Sequence, residues 1–186
     1  MKCKFVTVLT FFCLLICGCA TWQLITPQYK WKFANFEATL PDGWMRFNAT
    51  PILLYTTKDG EYLQSITILR YKIGDAKSLP ISKKKFIDQM LSQEIAEAII
   101  NEMTLDGKNV QNLKVLDNSP INIAGKDGFK LEYTFNTSTN LDLKAIKYGF
   151  KEKGYIYIIQ YQAAEQYYFE KDIGTFKQFV NDFKII

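Results

Sequence analysis

Behind Lys2 and Lys4, residues 5–16 run without a single charge. The run is too short to cross a bilayer, which takes about 20 apolar residues. A basic leader followed by an apolar run of this length has the form of a signal segment, removed from the mature chain. It therefore restricts the fold to the residues after Gly18. Of 186 residues, removal of 18 leaves 168, enough for one domain with a core of its own. The expected division is a signal segment over 1–18, an N-terminal tether over 19–30 and a globular domain over 31–186.

The end of the run is specific. Ile16, Cys17, Gly18 and Cys19 stand in succession, and this resembles the lipobox of bacterial lipoproteins. Ile16 takes the −3 position, Cys17 the −2, Gly18 the −1, and Cys19 is the lipid acceptor. The resemblance implies a chain that begins at Cys19 and is held to a membrane by its first residue. Ala20 stands at +2 where an Asp would signal retention, so by resemblance to enterobacterial sorting the outer membrane is favoured, facing the periplasm. The competing reading is an ordinary cleaved signal with Cys19 incidental.

Cysteine and histidine narrow the chemistry. The four cysteines are Cys3, Cys13, Cys17 and Cys19. Three leave with the signal and the fourth is blocked by lipid, so the domain has no disulfide and stands on packing. The chain has no histidine, which argues against zinc sites, histidine triads and pH switching near neutrality. Without Lys2 and Lys4, the 23 basic and 19 acidic residues become 21 and 19. That balance gives no reason to expect nucleic acid as a partner.

Along the chain, residues 20–29 read as a tether, with Trp22 either at lipid headgroups or docked on the domain. Residues 31–40 are an extended lead-in, and Pro41-Asp42-Gly43 a turn before Trp44. Residues 52–57 and 62–72 are strands about Asp59-Gly60. A helix is expected over 83–104, capped by Ser82, with Ile81 stapled onto Phe86 and a stripe through Met90, Ile95 and Ile99. Strands are expected next at 113–116, 118–123, 129–135, 143–150 and 155–163, with a hairpin turn at 125–128. Tyr157, Ile159 and Tyr161 alternate with Ile156 and Ile158, which places the last strand near the centre of a sheet covered on both sides. A second helix is expected over 169–183.

This order, with Leu40-Pro41-Asp42-Gly43-Trp44 after the opening strand and Ile123-Ala124-Gly125 in mid-domain, resembles the Mog1/PsbP-like family. The family's closing helix often ends in a Ser-Phe pair; Asp182-Phe183 stands there instead. The resemblance implies an α+β fold: a single antiparallel sheet with helices on both faces, an α/β/α sandwich. It further implies a protein that binds and assists a partner and is not an enzyme, and it transfers no family site.

Three candidate sites remain. Cys19 is the lipidation site. Lys83, Lys84 and Lys85 crowd the positive end of the expected helix, where they would suit an anion or acidic headgroups; the alternative is a solvated turn. Tyr167, Tyr168 and Phe169 form either a partner contact or a packed corner. Glu94 and Glu97 are read as a solvated helix face and not as a catalytic pair. No cofactor or metal is expected. The functional expectation is a membrane-anchored, non-catalytic binding or assembly module for a protein of the cell envelope. The alternative is a carrier of a small hydrophobic ligand held between the sheet and a helix.

Overall fold

The computed structural model describes residues 22–33, 36–48 and 52–186. Cys19, the signal segment over 1–18 and Ala20 lie outside them. Among the described residues the large sheet has eight strands. In chain order these are β1 (Trp22–Leu24), β4 (Met45–Phe47), β5 (Leu54–Thr57), β6 (Gln64–Lys72), β7 (Gln111–Ile123), β8 (Lys126–Asn136), β9 (Asp142–Glu152) and β10 (Tyr155–Ala164). Across the sheet they lie in the order β1-β4-β5-β6-β10-β9-β8-β7. Every pairing is antiparallel.

The hairpins arise from local chemistry. Between β7 and β8 the two turn residues are Ala124 and Gly125, at φ 51° and 80°. Lys153 and Gly154, at φ 48° and 78°, do the same between β9 and β10. Two positive φ angles suit the right-handed twist of the flanking strands. The first turn stands earlier than the 125–128 expected from sequence. Gly125 N–H donates to Asn122 Oδ1 at 3.0 Å, and Lys126 to Gly128 already belong to β8. The strands expected at 113–116 and 118–123 are one strand, β7, with register shifts at its bulges.

Helix α1 (Ser92–Leu105) and helix α2 (Tyr168–Asp182) pack in different hydrophobic clusters. Ile95, Ala96, Ala98 and Ile99 of α1 join Leu131, Tyr133, Ala145, Ile156 and Ile158. Phe169, Phe176 and Phe179 of α2 join Ile66, Ile68, Ile146, Tyr148, Tyr157 and Ile159. Alternate residues of a strand point to opposite faces, so β10 supplies both clusters. Gly149 leaves room for this packing: a Cβ there would meet the Phe129 ring.

Two expectations are corrected. The sheet is not single. A second sheet is built from β2 (Lys30–Phe33), β3 (Phe36–Thr39) and β11 (Lys184–Ile185), in the order β11-β3-β2. The lead-in folds back on itself and takes the end of the chain as a third strand, and its Trp31, Phe36 and Ala38 complete the α2 cluster. The first helix begins at Ser92, not at Lys83. Residues 83–91 are held open by tertiary bonds. Gly74 N–H donates to Phe86 O at 2.8 Å, and Lys151 Nζ donates to Asp88 O at 2.7 Å and Met90 O at 3.0 Å. Carbonyls bonded in this way are drawn out of a helical ladder. Ile81 is exposed and staples nothing. Ile81 and Ser82 instead donate their N–H groups to Glu102 of α1, at 2.7 and 2.8 Å.

The N-terminal boundary also moves. Trp22 to Leu24 are a strand and Ile25 is buried, so the segment expected as tether enters the fold by Trp22. Trp22 is paired into the large sheet and its ring remains exposed.

Phe179 is buried, with its ring 6.5 Å from that of Phe183. Phe179→Ala is expected to destabilise the fold by about 3–5 kcal/mol. A lowered urea midpoint with an unchanged slope will show it; an unchanged midpoint would place Phe179 outside the core.

Candidate functional site

At one end of the large sheet three loops meet: residues 58–63, 137–141 and 165–167. Ala164 N–H donates to Leu63 O at 2.9 Å and Glu165 N–H to Asp142 O at 3.0 Å. β6 starts here with Gln64, which is buried. Its Nε2 donates to Asp59 Oδ2 at 2.8 Å and to Asp172 Oδ2 at 3.0 Å. Asp172, buried on α2, also accepts from Lys58 Nζ at 3.3 Å. Lys171 Nζ lies 2.6 Å from Asp59 Oδ2. That hydrogen bond holds the Asp59 carboxyl below its ordinary range and the Lys171 ammonium above its own.

Each of these charged side chains is thus engaged by another. A general base must reach a substrate proton with its acceptor free, and these carboxylates are spent on Lys58, Gln64 and Lys171. Among the described residues no cluster of three His, Cys, Asp or Glu could hold a metal ion, and no helix is long and apolar enough to cross a membrane.

The aromatic triplet divides by environment. Tyr167 is 66% exposed, Tyr168 half-buried and Phe169 buried. Tyr167 holds φ 74°, an uncommon angle for a bulky residue, as the chain turns from β10 into α2. Lys171 Nζ stands 5.6 Å from the Tyr167 ring and 5.3 Å from the Tyr168 ring. Phe169 belongs to the core, with Lys144 Nζ 4.4 Å from its ring. Tyr62, on the 58–63 loop, is 75% exposed and is not among the candidates from sequence. Its one local signal is a tyrosine next to an Asp-Gly turn.

Lys83, Lys84 and Lys85 are exposed on an irregular segment. No helix N-terminus stands behind them, so no helix dipole favours an anion there. Glu94 is not idle: its carboxylate accepts the Leu91 N–H at 2.7 Å and caps α1.

A cleft of about 330 Å³ runs beside α2, lined by Leu40, Asp42, Trp44, Lys58, Gln178 and Asp182 among others. Its lining mixes charge with apolar surface. The space between the sheet and α2, where a hydrophobic cargo would sit, is filled with rings. Phe176 lies 5.6 Å from Tyr148 and 5.5 Å from Tyr161, and Phe36 lies 4.5 Å from Tyr157.

Lys147 is a further residue that sequence reading misses. It stands on β9 among the residues that alternate toward α1, after Leu143 and Ala145. Its Nζ is 3.5 Å from Met103 Sδ and 5.3 Å from the Tyr133 ring centre. Burial holds its pKa down to about 8, against an ordinary 10.5.

The unfolded chain therefore binds more protons than the folded one between those values, and stability rises with pH across that window. Tyr133 and Tyr161, whose hydroxyls burial pushes upward, oppose this once unfolded tyrosines ionise. Lys147→Met is expected to raise the melting temperature at pH 7 and to remove the rise between pH 8 and 10. Equal pH profiles for the two proteins would show that Lys147 is well solvated.

The fold recurs in solved structures. The PsbP protein of the cyanobacterium Synechocystis, CyanoP, superposes with a TM-score of 0.61 at 14% identity, over 92% of this chain and 96% of that one. Mog1p of Saccharomyces cerevisiae, a Ran-binding protein, gives 0.53 at 7% identity, over 90% and 96%. LpqN of Mycobacterium tuberculosis, involved in cell envelope biogenesis, gives 0.52 at 11% identity, over 89% and 90%. No protein-family model matches the chain and no curated protein matches it in sequence. At these identities the likeness is one of architecture, and the architecture is Mog1/PsbP-like, a large antiparallel sheet with two helices among the described residues.

Proposed function

We propose that this protein is a lipid-anchored, non-catalytic binding module of the bacterial cell envelope, docking a protein partner through the loop end of its large sheet. The observation that carries the reading is the state of the interior. Both clusters are filled by side chains, and the buried Asp172 is held within the fold by Lys58 Nζ and Gln64 Nε2. The chemistry left facing water at that end is aromatic, Tyr62 and Tyr167 around Lys171. Exposed tyrosines beside a held cation are the composition of an interface. Phe169, being buried, is not part of it. The layering belongs to this reading: α1 on one face of the sheet, with α2 and the small sheet on the other, supported by the division of residues between the two clusters.

Anchoring rests on Cys19 and the residues before it. The envelope setting is supported by the likeness in fold to LpqN, and a binding role by the likeness to Mog1p. The outer membrane is the proposed location because Ala20 follows Cys19. A carrier of a small hydrophobic ligand fits less well, since rings occupy the space it would need.

Two experiments test the parts separately. Cys19→Ser is expected to leave the precursor unprocessed or to release it from the membrane fraction; one acyl chain binds only marginally, and firm anchoring takes at least two. A mature N-terminus beyond Cys19, found by mass spectrometry, would remove the anchor. For the docking end, a photocrosslinking amino acid at Tyr167 is expected to give a discrete adduct in native envelopes, absent when the same group replaces the exposed Lys108. Identical patterns from both positions would remove the interface.

A further inference from the structure

Helix α1 packs over β7, β8 and β9, and β1, β4 and β5 form the opposite flank of the sheet. On that flank the face turned to the α1 side is aromatic and apolar. Tyr55 pairs with Thr67, which alternates with Ile66 and Ile68 of the α2 cluster and so lies on the other face. Trp22 pairs with Phe47 and Leu24 with Met45. The rings of Trp22 and Phe47 are 4.9 Å apart, those of Trp22 and Tyr55 5.7 Å, and those of Phe47 and Tyr55 6.5 Å.

Trp22 is 37% and Leu24 57% exposed. Gln23, between them, points the other way, where its Oε1 accepts from Arg46 Nη2 at 3.0 Å and Asn48 Nδ2 at 3.3 Å. Strand β1 is thus amphipathic, with its apolar side outside the two buried clusters. Single exposed apolar residues are ordinary; a joined set on one flank marks a contact surface.

We propose that this patch rests in the headgroup layer of the membrane that anchors Cys19 and holds the domain there in one orientation. The proposal depends on the lipidation of Cys19. Trp22 is three residues from Cys19, a separation that spans at most about 10 Å. The polar layer on each side of the hydrocarbon is about 5–8 Å thick. Acyl chains in the hydrocarbon therefore keep Trp22 within or just above the headgroups, the depth that indole and phenol rings prefer. A protein partner covering the patch would have to fit into that same gap. The carboxylate at the patch is Glu61, which accepts from the Tyr55 hydroxyl at 3.2 Å. Its charge fits a zwitterionic surface better than an anionic one.

The test uses the full chain, lipidated in a bacterial host, purified and reconstituted into phosphatidylcholine vesicles brominated near the headgroup end of the acyl chains. Trp31 and Trp44 are buried, so Trp22 supplies the exposed indole. Bromine is expected to lower the tryptophan emission, equally at low and high salt. Trp22→Phe should abolish the loss, and Leu24→Glu, at an exposed position, should remove most of it. Mass spectrometry of the N-terminal peptide reads the anchor on the same sample. An acylated protein that floats with the vesicles but emits equally with and without bromine would overturn the patch and leave the anchor standing. Quenching undiminished in Leu24→Glu would mean that the tether alone drags the ring to the lipid, and would also overturn it. Absence of lipid on Cys19 would overturn both. Shielding of Trp22 from iodide in native membranes but not in vesicles would assign the patch to a protein and overturn the lipid contact.

Discussion

Both halves of the interior depend on strand β10. Ile156, Ile158 and Ala164 serve the α1 cluster, while Tyr157, Ile159, Tyr161 and Ala163 serve the α2 cluster. Its backbone is paired on both sides, with β6 from Tyr155 to Ala163 and with β9 through Ala164. The polar main chain is therefore satisfied while most of the side chains are buried. Antiparallel sheets commonly leave one face to water; here β10 sends buried side chains into both clusters, and only Tyr155, Gln160 and Gln162 along it are half-buried. Register is set by the same fact, because a slip of one residue would send each side chain into the other cluster. Tyr161 adds a polar tie, its hydroxyl lying 2.9 Å from Tyr168 O and 3.2 Å from Phe169 O at the start of α2.

Charge in the interior is balanced by residues distant in sequence. Asp172 of α2 meets Lys58 and Gln64 from the β5–β6 region, more than a hundred positions away. Such a bond is specific about docking: α2 reaches it only when the helix is seated against β6. Breaking one member strands a buried group, which costs more than the pair itself contributes. Lys147 differs, a half-buried ammonium beside a thioether and a ring. It lies on a sheet position that its neighbours Leu143 and Ala145 fill with apolar groups.

Much of this was legible in the sequence, for local reasons. β8, β9, β10 and α2 announced themselves through alternation or helical spacing, because their burial pattern repeats along the chain. The start of α1 did not. Phe86 and Met90 continue the helical stripe in sequence, yet Gly74, Glu102 and Lys151 bind that segment's backbone from elsewhere. The small sheet was hidden for a similar reason. β11 is two residues long and pairs with β3 across almost the whole chain, so no local pattern could reveal it. At the loop end, Tyr167 was legible as part of an aromatic cluster, but Tyr62 comes beside it only through the Leu63 to Ala164 contact. Lys147 stayed hidden because β9 also carries Lys144 and Lys151, among which it does not stand out in sequence.

The two edges of the large sheet are finished differently, and the difference bears on the N-terminus. β7 is a long edge, the kind that invites pairing with another chain. It is blunted by two register shifts and by Pro120, which offers no N–H. β1 is three residues long and pairs with β4 alone. A chain meant to search a volume would leave its domain through a flexible Gly/Ser-rich segment. Here Trp22 is already paired into the sheet, and Gln23 is clamped by Arg46 and Asn48. A restraint applied upstream of Trp22 is therefore borne by β1 and passed through β4 and β5 to β6 and β10. With the anchor proposed at Cys19, such a restraint would set the domain's orientation and leave it little reach.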